Sequence, residues 1–405
     1  MKTEVIVVGA GASGLVSAIE AARCGSSVTV LEHTSKAGKK LLATGNGKCN
    51  LTNLAMPEGA LRGGKPEFIK EVLSKVSVGD AMNFFRDLGL VLTDRNGYVY
   101  PNTGQAASVA EALLFELERL KVPILYDCNV SGIGKNLVLQ TSCGEMKAEA
   151  VILAAGSMAA PKTGSDGSGY GLAEALGHHI IKPLPALVQL RCKEKWYKQA
   201  AGVRTEALVT LKVNGKKTAS DRGELQFTDY GISGIPVFQI SRFAARAVEE
   251  RKTVTAELDF FPDMDFETME DFLFCRKNKF SSRPGTEFLH GVLNQKLAHV
   301  LLKISGIARE RTGEITAPEV KRLCAFIKGL KTTVISANSF DQAQICSGGI
   351  DLRDVNSLTM ESKLVKGLYL AGEILDVDGI CGGYNLQWAW SSGILAGRNA
   401  GREKK

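Results

Sequence analysis

Apolar residues fall into short unbroken runs near both ends of the chain and alternate with polar ones through its middle. Glu4 to Val8 (EVIVV) predicts a strand buried on both faces. A helical pattern runs from Leu15 to Arg23, and Gly25 is placed to stop it. A second β-rich run, Val28 to Leu31, leads to Glu32, completing a strand–helix–strand unit. Ala150 to Leu153 is a further apolar strand, ending in the small residues Ala154, Ala155, Gly156 and Ser157. Val365 to Glu373 reads as a turn, a strand and Gly-Glu, and a helical pattern follows from about Leu386 to Asn399.

The pattern changes near residue 183, where Pro183-Leu184-Pro185 predicts a linker. Leu187–Arg191, Ala207–Val213, Thr253–Phe260 and Thr332–Ser336 predict strands, and Asn214-Gly215 predicts a hairpin turn. Between them, residues 263–330 are helical in pattern, with Met269–Phe274, Phe288–Ile304 and Pro318–Leu330 as the candidate helices. The glycine-rich stretch Gly164–Gly171 lacks the form of a second nucleotide fingerprint and is read as a helix cap.

Composition adds limits. With 405 residues, two or three domains are expected. No apolar run reaches the roughly 18–20 residues of a membrane span, so no membrane association is expected. Glu4 and Glu20 flank the N-terminal apolar stretch, which argues against a secretion signal and for a cytoplasmic location. The nine cysteines are odd in number and contain no CxxC, which speaks against a disulfide framework, a zinc site or a thioredoxin-like redox pair. The five histidines show no metal-ligand spacing; His178 and His179 are adjacent and face different ways on any regular element. No metal site is expected, and all five histidines read as structural or surface residues. The net charge is +7, and residues 276–328 hold eleven Lys/Arg against four acids. That segment reads as a solvated helical face or as a docking surface for a polyanion such as RNA.

The candidate chemistry lies at the ends. Gly9, Gly11 and Gly14 form GxGxxG between a strand and a helix. Gly9 permits the tight turn, Gly11 lets backbone approach a pyrophosphate, and Gly14 lets helix pack on strand. The helix N-terminus presents unpaired N–H groups to that pyrophosphate. Glu32 accepts from both ribose hydroxyls and disfavours a 2′-phosphate, which selects FAD or NAD over NADP. The C-terminal segment repeats the device with a strand end, Gly372-Glu373, a glycine-rich loop and a second helix start. Nicotinamide dehydrogenases do not need this second arrangement, whereas a flavin does: Glu373 takes ribityl hydroxyls, and Gly383, Tyr384, Asn385 and Leu386 face the ring edge. Ala154, Ala155 and Gly156 allow backbone to approach the same cofactor.

Residues 38–53, GKKLLATGNGKCNLTN, resemble the GKKL…TG-x-G-(R/K)-CN-x-TN signature of a bacterial flavoprotein family. That family includes BaiN-like enone reductases, aminoacetone-oxidase-like proteins and a ribosomal-RNA dihydrouridine synthase. Further blocks match in order: Gly97–Pro101, Gly223–Pro236, Ser347–Ile350, Thr359–Lys363, Gly372–Gly379 and Gly382–Gln387. The resemblance spans nearly the whole chain. It implies an α/β fold: a discontinuous Rossmann-like FAD-binding domain (1–186 and 348–405) interrupted by a β-barrel (187–262 and 331–347), itself interrupted by a helical domain (263–330). It also places Ser13, Lys40, Gly45, Gly47, Cys49, Asn50 and Val130 among the cofactor contacts. Lys48, Tyr98 and Cys381 depart from the usual Arg, Arg and Thr. Cys381, Tyr384 and Asp378 are the expected catalytic candidates, because their loop is expected near the flavin.

The resulting expectation is an FAD-dependent oxidoreductase passing hydride to an activated C=C bond, with NAD(P)H as a transient donor. The acceptor is a uracil in ribosomal RNA, toward which the basic 276–328 segment tilts the reading, or a small enone such as a steroid or bile acid. An amine oxidase using O2, or an RNA-binding flavoprotein with structural FAD, are the alternatives.

Overall fold

A computed structural model describes residues 4–401; the outermost residues of the first and last expected segments lie outside them. The chain forms two compact units, one made of everything up to Leu184 together with everything from Gln344 on, the other of Pro185–Ala343.

The first unit is built on a five-stranded sheet in the order Leu368–Leu370, Ala150–Leu153, Val5–Val8, Val28–Leu31, Ile124–Leu125. All neighbours are parallel, with Val5 opposite both Ala150 and Val28. The strands Val5–Val8, Val28–Leu31 and Ala150–Leu153 are buried along their whole length, as expected of a parallel sheet covered on both faces. The first strand leads into helix Ala12–Arg23, against which the last helix, Tyr384–Ala400, is packed. Their contact is made of small residues one turn apart. A Cβ on Gly393, Gly397 or Gly401 would lie 2.6, 2.3 or 2.7 Å from the carbonyl oxygen of Ser13, Ser17 or Ala21 respectively. Ser17 Oγ donates to the carbonyls of Ser13 (2.6 Å) and Gly393 (2.9 Å), and Arg398 pairs with Glu20 at 2.5 Å. The two ends of the sequence are thus joined backbone to backbone.

The second unit is a closed six-stranded barrel, in the order Leu190–Cys192, Gly231–Gly234, Lys216–Phe227, Arg204–Val213, Val254–Asp259, Leu330–Ala337. Asn214 and Gly215 turn the longest hairpin with φ of 49° and 79°, the left-handed pair a type I′ turn requires. Val209, Leu211, Leu225, Phe227, Ile232 and Leu258 are fully buried in its core. Helix Ile235–Glu249, which the alternation did not reveal, contacts every strand of the barrel. Helices Phe266–Lys279, Gln295–Ile304 and Ala317–Gly329 are inserted between two barrel strands and share the barrel's hydrophobic core.

Two local expectations need correction. Pro183–Pro185 does join the two units, but as part of strand Ile180–Ala186, paired with Ile345–Ile350 in a two-stranded sheet, rather than as an irregular linker. A ribbon of two strands is all edge, where a missing N–H is tolerated. The helix expected over Phe288–Ile304 begins only at Gln295. Gly291 is left-handed (φ 78°), and the Asn294 side chain caps the helix by accepting from the Lys296 N–H at 3.0 Å. Phe288 and Leu289 are buried without being helical, which mimicked the periodicity.

Glu319 closes the start of helix Ala317–Gly329, accepting from Thr316 N–H (2.7 Å) and Oγ1 (2.9 Å) and from Arg309 (2.8 Å). The Arg309 hydrogen bond leads the groups that lower its carboxyl to about 2. A depressed carboxylate stabilises the fold above its unfolded value and stops doing so as pH falls through the folded one. Urea midpoints measured from pH 6 down to 2 are therefore expected to fall less steeply in Glu319→Gln than in wild type, from a lower starting stability. An unchanged slope would count against this role.

Among the described residues no helix is long and apolar enough to cross a membrane, and no cluster of three potential metal ligands occurs.

Candidate active site

Strand Val5–Val8 is central in its sheet; the chain next adds Val28–Leu31 on one side and later Ala150–Leu153 on the other. This reversal opens a crevice at the carboxyl ends of the strands, the usual ligand position in such sheets. The cleft there has an empty volume of about 1230 Å³, its open mouth included.

Its floor is the glycine turn. Gly9 has φ of 104°, and a Cβ on it would lie 2.6 Å from the Ala154 carbonyl oxygen. A Cβ on Gly14 would lie 1.9 Å from the Gly9 oxygen. Gly11 differs: a Cβ there meets no protein atom within 4 Å, although the residue lines the cleft. Helix Ala12–Arg23 starts at this point with no side-chain cap and no acid in its first turn. Ala12 and Ser13 line the cleft beside it. Open space above an uncapped helix start can receive a phosphate or pyrophosphate group.

Glu32 stands at one end. Its Oε2 accepts from the Ala10 N–H at 2.9 Å and its Oε1 from the Thr34 N–H at 2.8 Å, which fixes the carboxylate against the cleft. The Gly164 turn folds over this end: a Cβ on Gly164 would lie 3.0 Å from Thr34 Cγ2 and 3.3 Å from His33 Nε2. His33, read from sequence as structural or surface, therefore lines the cleft, as do Thr163–Ser165. Cys128, Asn129 and Val130 form the facing wall.

Glu373 stands at the other end. Lys40 Nζ donates to its Oε2 at 2.6 Å, while Ser157 Oγ (2.8 Å) and the Cys346 N–H (3.2 Å) donate to its Oε1. Burial pushes the nearby Cys346 thiol up to about 11. The Tyr170 hydroxyl is buried without a hydrogen-bond partner, and its pKa is raised well above the ordinary range by burial, with Cys346 and Glu373 adding to the effect. A second uncapped helix start, Tyr384–Ala400, brings Asn385, Leu386 and Trp388 into the wall.

The signature segment explains how that second helix is held. Lys39 and Lys40 line the cleft, but Gly45, Gly47, Cys49 and Asn50 do not. Gly45 and Gly47 form a turn, and burial pushes the Cys49 thiol up to about 12. The Asn50 amide donates to the Thr52 (2.9 Å) and Val99 (3.1 Å) carbonyls and accepts from the Gly383 N–H (3.2 Å). Asn53 Nδ2 donates to the Gly382 carbonyl at 3.2 Å, Thr52 Oγ1 meets Gln387 Oε1 at 2.6 Å, and the Trp390 indole donates to the Leu51 carbonyl at 2.9 Å. These residues clamp the loop in front of the helix.

The remaining expected residues divide clearly. Gly9, Gly11, Ser13, Glu32, Lys40, Val130, Ala154, Ala155, Gly156, Glu373, Asn385 and Leu386 come together along the cleft. Gly14, Gly372 and Gly383 are close-packing positions; a Cβ on Gly372 would lie 2.2 Å from Ser13 Oγ. The Asn385 side chain is engaged with Gly379 N–H (2.7 Å) and carbonyl (3.0 Å). Cys381 (half-buried) and Tyr384 (buried) lie outside the lining, with Tyr384 and Tyr98 both close to Gly382. Asp378 also lies outside it, on strand Val377–Gly379 paired with Leu61–Gly63. The two uncapped helix starts and the fixed Glu32, all along one cleft, fit an extended dinucleotide such as FAD. Glu32→Gln is expected to weaken FAD binding by roughly tenfold, about 1.4 kcal/mol, because an amide places N–H against the Ala10 or Thr34 N–H. Fluorescence titration of apoprotein with FAD checks this, and an affinity equal to wild type would remove Glu32 from the site.

The chain matches the HI0933-like protein Rossmann domain family over residues 3–399. It is 44% identical over 400 residues to a 3-dehydro-bile acid delta(4,6)-reductase of Clostridium scindens, covering 97% of this chain and 98% of that one. It is 30% identical over 411 residues to a ribosomal RNA dihydrouridine synthase of Haemophilus influenzae, covering 99% of each. Among solved structures, its fold is similar to a 3-ketosteroid delta1-dehydrogenase of Sterolibacterium denitrificans (TM-score 0.52, 12% identity, 99% of each chain). A flavocytochrome c3 fumarate reductase is also similar (TM-score 0.50, 14% identity, 99% of this chain and 78% of that one). The sheet, the cleft at its switch point and the whole-length matches lead to one assignment: the chain belongs to the HI0933-like family and is an FAD-dependent oxidoreductase.

Proposed function

We propose that this oxidoreductase reduces a C=C bond conjugated to a carbonyl in a small enone of the steroid or bile-acid type, with NAD(P)H as a transient electron donor. The observation that carries the reading is the 44% identity, over nearly the full length of both chains, to a reductase named for a 3-dehydro-bile acid. When bound, FAD supplies the hydride chemistry. The chain's part is to hold and to protonate. Gly11–Ser13 receive the pyrophosphate, Glu32 the ribose, and Lys40 and Glu373 the region in front of the second helix. Beside that helix start the chain offers Tyr384 and Cys381 as proton donors. Burial, and then the neighbouring Tyr98, raise the Tyr384 phenol above its ordinary value, so it keeps its proton at neutral pH. Asp378 is placed to support this loop.

A second reading, reduction of a uracil in ribosomal RNA, is favoured by the relatives of that name at 30% and 27% identity. The chemistry is the same, since the uracil C=C is also conjugated to a carbonyl. The basic 276–328 segment is the docking surface this reading needs. Five of its cations already serve the fold: Arg276 bonds the Phe288 carbonyl, Lys296 the Ala201 carbonyl, Arg309 Glu319, Arg322 the Ser305 carbonyl and Lys328 Asp259. Of these five, only Arg309 and Lys328 are paired with carboxylates, so the segment keeps most of its charge; the enone is placed first on the higher identity to the bile-acid reductase.

The test is anaerobic NAD(P)H oxidation by the FAD-loaded protein, with a conjugated steroid enone in one cell and a uracil-containing ribosomal RNA fragment in the other. Enone-dependent oxidation with a saturated product is the expected result. RNA-dependent oxidation with dihydrouridine would replace it by the second reading, with binding that weakens steeply with salt. Turnover only with oxygen and an amine would make the protein an oxidase. RNA binding without any turnover would make the flavin structural.

A further inference from the structure

One wall of the cleft ends on a pair of cysteines. Strands Val130–Ile133, Val138–Thr141 and Gly144–Lys147 form an antiparallel sheet, and Ser142-Cys143 is the two-residue turn between the last two, where Thr141 pairs with Gly144. The turn folds back on the segment leading into the first strand. The Ser142 N–H donates to the Asn129 carbonyl at 2.8 Å, the Asn129 N–H donates to Ser142 Oγ at 2.9 Å, and that hydroxyl donates to the Asp127 carbonyl at 3.3 Å. Cys128 is therefore bracketed on both sides by residues bound to the neighbour of Cys143, and the register that pairs Val130 with Thr141, continued by two residues, sets Cys128 opposite Cys143. Adjacent antiparallel strands hold facing Cα atoms about 4.5–5.5 Å apart, inside the usual disulfide range of about 4.4–6.8 Å.

Their surroundings differ. Cys143 is exposed, whereas Cys128 is 1% exposed and lines the cleft beside Asn129 and Val130. The Cys128 N–H donates to the Glu32 carbonyl at 2.9 Å, so the pair also adjoins the segment that carries the ribose carboxylate.

We propose that Cys143 and Cys128 are an oxidation site, at which a peroxide converts the dithiol into an intramolecular disulfide that pins the cleft wall and slows cofactor release. The Cys143 sulfur attacks hydrogen peroxide: an S–O bond forms, the O–O bond breaks, and the thiol proton leaves with the departing oxygen as water. The Cys128 sulfur then displaces the oxygen from the Cys143 sulfenic acid, forming the S–S bond and releasing a second water that carries the Cys128 proton. Two thiols are oxidised and one peroxide is reduced. The neighbouring Cys128 thiol, and then burial, hold the Cys143 thiol above its ordinary range. Its thiolate fraction at neutral pH is small, so the reaction is slow and accelerates as pH rises. That suits a response to sustained oxidant rather than a peroxidase.

The effect on release rests on the FAD reading of the cleft; the bond itself does not. The holoprotein is treated with hydrogen peroxide, alkylated under denaturing conditions and mapped by peptide mass. A Cys128–Cys143 cross-linked peptide is expected, with the exposed Cys24 and Cys275 as internal controls that stay unbridged. Cys128→Ser is expected to stop at a Cys143 sulfenic acid that a dimedone probe traps. FAD release, followed as the rise of free-flavin fluorescence on dilution, is expected to slow several-fold in oxidised wild type and to be unaffected by peroxide in Cys143→Ser. Cys143 left as a thiol, or overoxidised without a bridge, would overturn the site. A bridge with unchanged release would overturn the link to the cleft. Failure of both forms to bind FAD would strike the cofactor reading instead and leave the thiol map to decide the rest.

Discussion

Gly11→Val is expected to leave the apoprotein as stable as wild type and to weaken FAD binding by roughly 100-fold, about 2.7 kcal/mol. The two effects separate because of where the new side chain goes. A Cβ at Gly11 meets no protein atom within 4 Å, and its φ of −82° suits any residue, so the fold has nothing to resist. The space it fills lies over the uncapped start of helix Ala12–Arg23, where the pyrophosphate must approach backbone N–H groups. The neighbouring fingerprint glycine supplies the contrast. Gly14→Val drives a side chain into the Gly9 carbonyl, 1.9 Å from its Cβ, and the turn itself must break. Thermal unfolding of both apoproteins, with FAD titration of Gly11→Val, decides the matter. Full-strength FAD binding by Gly11→Val would mean that the ligand does not pass over this turn.

Gly397→Val is expected to destabilise the first unit by about 1–3 kcal/mol or more, the scale of overpacking in a dense core. The new Cβ would stand 2.3 Å from the Ser17 carbonyl and 2.9 Å from its Cα, which are backbone atoms that cannot swing aside. The helices must separate, and the contacts along Gly393 and Gly401 go with them. Because the same helix presents Asn385 and Leu386 to the cleft, FAD affinity is expected to fall together with stability. Urea unfolding read by Trp388 and Trp390 fluorescence measures the first effect, and both indoles are buried in this helix. A midpoint equal to wild type would show that the helix pair is looser than its backbone contact implies.

The same two glycine sets show what kind of information each level carries. GxGxxG was legible because its chemistry is local: a tight turn, a backbone approach and a helix start follow one another within six residues, and Glu32 closes the next strand. The short buried strands were legible for the same reason, since an unbroken apolar run has few other uses. The Asn214-Gly215 hairpin was legible because a type I′ turn needs left-handed residues at both positions. Gly393, Gly397 and Gly401 carried no such signal; their reason is a carbonyl on a helix at the other end of the chain.

The site divides likewise. Sequence by itself located the first βα turn, Glu32 at the end of the next strand and the C-terminal helix start, which the structure brings to one cleft. It placed the whole signature segment at the cofactor, whereas the tertiary structure gives only its first part, Gly38 to Leu41 and Thr44, to the cleft and makes Asn50, Thr52 and Asn53 the clamp on Gly382, Gly383 and helix Tyr384–Ala400. His33, Cys128 and the Gly164 turn enter the wall only because the sheet order brings their loops to one edge. The pairing of Glu373 with Lys40 spans 333 positions of sequence, and no spacing rule reaches that far. Periodicity and turn chemistry act over a few residues and are written in the sequence directly. Which distant backbones touch depends on the closure of the whole sheet, and that was decided only in three dimensions.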